Sequence, residues 1–304
     1  MNKVKFLLSA FFLGFLVNTQ AQSNLLNART PEDIGKKSAA QMESDNDKPL
    51  PYGYIDDRDV LMGKMIWEKI DLDERVNFPL YYPVDTGYVG KERRSLFSVL
   101  LTGMKSGKVT EAYRDDYFNT KLSLKDIESV FKYVDTIPAG FDEINNYYDD
   151  YKSGRKVLDP QYVNETLLDA SDITEFRVKG YWYFDKRQSE LKYRLLAICP
   201  VANEARSKAK GEEDPLELFW IYFPSVRNML HEAKAFNDRN SAMPITFDHL
   251  LNSRRFSGVI YKEENVYGDR TIDQYMKENA QMQLLESERV KEKIRNFEQD
   301  MWNY

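Results

Sequence analysis

Two patterns of apolar and polar positions organise this chain: alternation through its centre and a narrow stripe at helical spacing near its end. From residue 176, Phe176, Val178, Trp182 and Phe184 alternate with Arg177, Lys179, Tyr181 and Tyr183, the period of two of a strand with one buried face. Residues 185–190 supply a polar turn. Leu191, Tyr193, Leu195 and Ala197 then alternate with Lys192 and Arg194, until Leu196, Ile198 and Cys199 make the second strand apolar on both faces. Burial is expected to be deepest there. Residues 216–223 are apolar at every position but Glu217, which predicts a third, central strand covered on both sides.

Upstream, Asp57 is placed to cap a helix carrying Val60, Leu61, Lys64, Trp67 and Ile70, whose apolar members recur at three and four. Residues 77–83 read as an extended segment limited by Pro79 and Pro83. A second helix is expected over about 92–104, with Leu96, Val99, Leu100 and Gly103 on one side and Gly107 as its stop. A third starts at Ser123, where Ser123-Leu124-Lys125-Asp126 fits a capping box ahead of Ile127, Val130, Phe131 and Val134. These elements predict a helical N-terminal lobe over 52–135. Residues 136–160, dense in Asp, Asn and Tyr and broken by Pro138, Gly140 and Gly154, read as a linker to a central sheet domain over 161–270.

Within that domain, residues 202–214 are expected to form an exposed loop or frayed helix. Pro224 closes the third strand and Ser225 caps a short helix with Val226, Leu230 and Ala233. Thr246 caps another with Phe247, Leu250 and Leu251, residues 256–261 form a last strand, and 265–269 turn. Residues 271–304 predict a long C-terminal helix opened by the capping pattern Thr271-Ile272-Asp273-Gln274. Its first half presents Ile272, Tyr275, Met276, Met282 and Leu285. Its second half presents Val290, Ile294, Phe297 and Met301 at gaps of four, three and four. Charged flanks leave that seam two uses, docking on its own domain or contact with a partner. The fold class is α+β: a mainly antiparallel sheet flanked by helices, with a helical N-terminal lobe and a long C-terminal helix.

The N-terminus changes the picture of where this fold works. Lys3 and Lys5 precede an apolar run over 6–17, with Thr19-Gln20-Ala21 as a small-residue cleavage site, so 1–21 reads as an export signal peptide. The run is shorter than the roughly 20 residues of a spanning helix, and no cysteine near the cleavage site offers a lipid anchor. Residues 22–51, polar and without apolar period, read as a flexible lead. Losing the signal removes two lysines and takes the formal charge from −6 to −8. An acidic surface argues against nucleic acid or anionic lipid as partners. The single cysteine, Cys199, excludes an internal disulfide and reads as a buried small hydrophobe.

Candidate chemistry adds little. His231 and His249 lie in no metal-ligating motif, and no nucleophile elbow, phosphate loop or dinucleotide fingerprint occurs. The acids Asp142, Glu143, Asp149 and Asp150 lack the spacing of a calcium loop. No catalytic, cofactor-binding or metal residue is assigned, and no cofactor is expected. The unusual feature is aromatic content, 20 tyrosines and 17 phenylalanines. Tyr181 and Tyr183 alternate on the face opposite Trp182, and outward aromatics of this kind suit protein interfaces. Tyr181, Tyr183, Val290, Ile294, Phe297 and Met301 are therefore the candidate partner contacts.

The segments Lys179-Gly180-Tyr181-Trp182-Tyr183-Phe184-Asp185, Arg194-Leu195-Leu196-Ala197-Ile198-Cys199-Pro200 and Leu218-Phe219-Trp220-Ile221-Tyr222-Phe223-Pro224 resemble the gliding-motility GldN/PorN family of Bacteroidota. Further segments match in the same order: Ile70-Asp71-Leu72 with Asn77-Phe78-Pro79-Leu80-Tyr81-Tyr82, Ser95-Leu96-Phe97, Thr246-Phe247-Asp248 and Lys262-Glu263-Glu264-Asn265-Val266-Tyr267. The resemblance implies a non-enzymatic, periplasmic subunit of the type IX secretion and gliding machinery. It implies a ring built by self-association with an outer-membrane lipoprotein, GldK/PorK, on the inner face of the outer membrane, alongside other secretion components. An exported enzyme or small-ligand-binding protein is the competing expectation, and an exported chaperone or adaptor for secreted cargo a further one.

Overall fold

The computed structural model describes residue 30 and residues 48–90, 93–203, 205–210, 215–237, 245–277 and 279–302. The expected signal peptide over 1–21 and nearly all of the lead over 22–51 lie outside the described residues. In chain order, a 3-10 turn at Asp57–Asp59 leads into β1 (Val60–Asp71), followed by α1 (Phe78–Tyr81), α2 (Leu96–Lys105), β2 (Ala112–Tyr113) and β3 (Lys121–Leu122). Then come α3 (Leu124–Phe131), β4 (Lys132–Thr136), α4 (Pro138–Asn146), α5 (Tyr148–Lys152), β5 (Val163–Leu167), β6 (Ile173–Asp185) and β7 (Glu190–Asn203). The chain continues with α6 (Ala205–Lys210), β8 (Pro215–Glu217), β9 (Ile221–Tyr222), α7 (Phe223–Glu232), β10 (Lys234–Ala235), β11 (Ile245–Thr246), α8 (Phe247–Asn252), β12 (Val259–Glu263), α9 (Ile272–Tyr275) and α10 (Ala280–Trp302).

The α+β class holds. The central sheet runs β12-β1-β6-β7-β8, with β9 also on β7, and every pair in it is antiparallel. The expected β6–β7 hairpin is present, with Phe184 opposite Leu191 and Asp185 opposite Glu190. Leu196 is bulged out where the register shifts between Lys179 and Gly180, and β7 is continuously buried from Ala197 to Ala202.

The first predicted helix is instead strand β1, at the heart of the sheet between β6 and β12. From Ile66 its side chains are buried on both faces, Ile66 and Glu68 to one side and Trp67 to the other. That removes the alternation that marks a strand and leaves apolar positions whose spacing mimics a helix. With β1 inside the sheet, 52–135 and 161–270 do not divide at the expected boundary, and Pro49–Tyr304 forms one compact unit. The predicted linker carries α4 and α5, and residues 77–83 make the single helical turn α1 rather than an extended segment.

The third strand is split. Residues 218–220 leave the ladder, and Trp220 exchanges main-chain hydrogen bonds with Tyr113 of β2 at 2.8 and 2.7 Å. All the apolar side chains from Leu218 to Ile221 are still buried, because the β2–β3 hairpin covers one side and the main core the other. Helix α7 begins at Phe223 with Pro224 in its first turn. Ser225 is not its cap: its hydroxyl donates to the Tyr222 carbonyl at 2.7 Å.

Two caps follow the sequence: Ser123 and Asp126 close a reciprocal capping box on α3 and Thr246 caps α8. Helix α2 starts at Leu96, about four residues later than predicted, where the Ser95 side chain accepts the Ser98 N–H. Thr271 makes no side-chain cap bond. The expected long helix is interrupted after Tyr275, and Asn279 restarts it by accepting the Gln281 N–H at 3.0 Å. The last strand begins at Val259, three residues later than predicted.

The main core joins Phe176, Val178, Leu195 and Ile198 of the sheet to Leu96 and Leu100 of α2, Phe223 and Val226 of α7, and Phe247 and Leu251 of α8.

Candidate interaction surface

Helix α10 answers the docking question. Val290 and Ile294 are buried in a cluster with Ile66, Ile260 and Ile272, flanked by Met62, Trp182 and Met276. Phe297 meets Phe184 edge to face, ring centroids 5.9 Å apart. Polar groups fix the register: Ser287 Oγ accepts the Ile260 N–H at 2.9 Å, capping the free edge of β12, and Glu298 accepts the Leu191 N–H at 3.4 Å. Met301 keeps part of its surface. The outer side of α10 is charged or polar but for a few apolar residues near its start, Met282, Leu284 and Leu285 among them, each more than half exposed.

Tyr183 is not outward. It is 6 % exposed, stacked on Tyr181 at 6.1 Å, with the Arg194 guanidinium 5.7 Å from its ring. Arg194 also lies 4.7 Å from the Tyr52 ring and donates to the Gly53 carbonyl at 3.0 Å. On its other side Tyr52 meets Arg227 at 4.1 Å, and its hydroxyl donates to Asn252 at 2.9 Å. Tyr181 retains some exposure and arches over Gly63, where a Cβ would meet the end of its ring and require it to move. Alternation assigned these tyrosines to the right face. It had no means to show that Arg194, held by Tyr52 and Gly53, covers it.

The β2–β3 hairpin folds over the same face further along. Lys179 donates to the Asp116 carbonyl at 2.9 Å and lies 4.3 Å from the Tyr117 ring. Lys262 pairs with the Asp116 carboxylate at 3.0 Å and lies 4.1 Å from the Trp67 ring. Tyr117 donates to Asp269 at 2.6 Å. Burial pushes the Lys179 ammonium below its ordinary value, with Asp116 opposing. The hydrogen bond from Tyr117 holds the Asp269 carboxyl low.

On the opposite face, Glu68 accepts two bonds of 2.7 Å from Arg254, whose guanidinium lies 4.2 Å from the Tyr193 ring. Burial works against the Arg254 charge, yet Glu68 raises its pKa above the usual guanidinium value. Arg227 and Asp248 form a second buried fork at 2.7 and 3.1 Å. Neither pair had a signal in the sequence, where acids and bases look alike whether solvated or enclosed.

These charges are paired with one another and hold elements together. Cys199 is fully buried among Trp67, Ala197 and Trp220, and burial raises its thiol well above the ordinary range. His249 is exposed on α8 and His231 sits near the end of α7. Among the described residues no His, Cys, Asp or Glu group is arranged to hold a metal ion, and no helix is long and apolar enough to cross a membrane. The groove along α10, lined by Arg289, Glu292, Lys293, Asn296, Phe297 and Asp300, is a helix surface.

Fold and surface together define an α+β scaffold whose aromatic and ionic groups clamp its own elements. The chain belongs to the gliding motility associated protein GldN family, whose sequence profile matches residues 55–303. No curated protein matches the chain.

Proposed function

We propose that this chain is a non-enzymatic subunit of the type IX secretion and gliding machinery. It acts in the periplasm, forming a ring with an outer-membrane lipoprotein of the GldK/PorK kind. The observation that carries this reading is the family match, which spans almost the whole folded unit from residue 55 to residue 303. A subunit of this kind works by repeated contact, each copy offering surfaces that close by rotation. Of the candidate contacts, Tyr181, Phe297 and Met301 keep accessible surface. Val290 and Ile294 are buried by the chain's own sheet, and Phe297 also meets Phe184. Envelopes extracted in mild detergent and separated by size test the reading. The expected result is a high-mass species in which this chain travels with an outer-membrane lipoprotein, and a solitary monomer overturns it.

A further inference from the structure

Residues 132–167 form regular structure that the chain covers on one side only: Tyr133 packs against the main core and α6 lies against β4 and β5. Strands β4 and β5 pair over their full length, Lys132 opposite Leu167 and Val134 opposite Glu165. Helices α4 and α5 lie between them in the chain. Among β4, α4, α5 and β5 the one buried residue is Gly140. Val134, Phe141, Tyr147, Tyr148 and Leu167 are each 48–56 % exposed. Two-stranded ribbons and helices of one or two turns are marginal in water without an apolar face to cover. The register puts Val134 and Leu167 on the same side of the ribbon. The ion pair of Lys132 with Glu165 lies at 2.8 Å on that side.

Charge says what covers this surface. The segment holds seven carboxylates and four cationic side chains, and every cation is engaged within it. Lys132 pairs with Glu165, Arg155 with Asp150, and Lys156 with Glu143 while lying over the Tyr147 ring. Lys152 lies 5.7 Å from the Tyr148 ring. Asp135, Asp142 and Asp149 are exposed and meet no cation among the described residues. Anionic lipid and nucleic acid carry the wrong sign for such a surface. A second copy docked by the same face about a two-fold axis would set these aspartates against themselves.

We infer that the exposed surface of β4, α4, α5 and β5 is a docking surface for a different protein, one presenting an apolar centre fringed by arginine or lysine. This rests on the assembly reading above and names where on the chain one contact is made.

The test uses the full-length chain in its native envelope, in wild-type form and as the double variant Asp142→Lys/Asp149→Lys. Circular dichroism and thermal melting establish that the variant is folded, since both positions are exposed. A photoreactive p-benzoyl-phenylalanine replaces Phe141 in each form. The expected result is an adduct to another polypeptide, at a surface peptide bearing Lys or Arg, reduced about tenfold or more by the charge reversal. The variant also leaves the high-mass fraction. An adduct to a second copy, an adduct indifferent to the reversal, or no adduct overturns the surface. If both forms stay in the high-mass fraction, the surface alone is lost. If the wild type itself runs alone, the assembly reading falls and takes this inference with it.

Discussion

A Cβ built on Gly180 would stand 2.1 Å from the Tyr193 hydroxyl and 2.2 Å from Cζ, because that ring lies flat across the β6 backbone. The hydroxyl is sealed from solvent and cannot swing aside, so Gly180→Ala should lower unfolding stability by about 1–3 kcal/mol in urea titrations. The same substitution at Gly63 should lower it by less than about 1 kcal/mol, since Tyr181 is partly exposed and free to rotate outward. Glu68 is a sterner case. Glu68→Ala leaves the Arg254 guanidinium enclosed without its partner, a loss of roughly 3–5 kcal/mol. The double change Glu68→Met/Arg254→Met should recover most of it in the same titrations. Tyr52 supplies a pH signature: burial pushes its phenol up to about 12, with Arg227 and Arg194 pulling against Asp248 and Tyr222. Its folded value lies above the unfolded value of about 10, so the stability it lends is complete below pH ~10 and is lost as pH rises toward 12. Tyr52→Phe should remove one late step from a tyrosinate absorbance titration and flatten the alkaline fall of the unfolding midpoint. None of these residues stood out in the sequence. Each takes its role from a partner more than ten positions away, which a local pattern does not register.

At the scale of elements, legibility followed exposure. Strands β6 and β7 were readable where one face is polar, and α3 and α8 where a cap precedes an apolar stripe. The pattern failed where both faces are covered: β1 lost its alternation from Ile66 onward, and residues 216–223 looked like one strand because two separate covers bury them. Helix α10 was legible as a helix with a seam, but not the seam's destination. In the fold Ile294 is enclosed by the sheet and by α9, so Ile294→Ala should cost about 2–5 kcal/mol in equilibrium unfolding. Met301→Ala, at the half-exposed end of the same stripe, should stay within about 1 kcal/mol. Equal losses at both positions would mean that the helix does not grip the sheet where its stripe is buried.

Across the whole molecule, the sheet and the ribbon of 132–167 differ in how much each has to lose by opening. Trp67, Trp220 and Cys199 share one buried cluster at the centre of the sheet, so the fluorescence of those indoles and the reactivity of that thiol report the same event. Alkylation of Cys199 in the native protein should be slow. It should accelerate with denaturant in step with the loss of buried-tryptophan fluorescence, both midpoints coinciding as in a two-state transition. The β4–β5 ribbon with α4 and α5 buries only Gly140, so its amides should exchange with deuterium through local openings far below the global unfolding energy. Thiol labelling well before the fluorescence change would break the sheet's claim to be one cooperative body. Ribbon amides as protected as those of β6 and β7 in the isolated chain would mean that this surface needs no cover. Protection that is weak in the isolated chain and strong in envelope extracts is the outcome expected of an acidic, aromatic face that is completed by another protein.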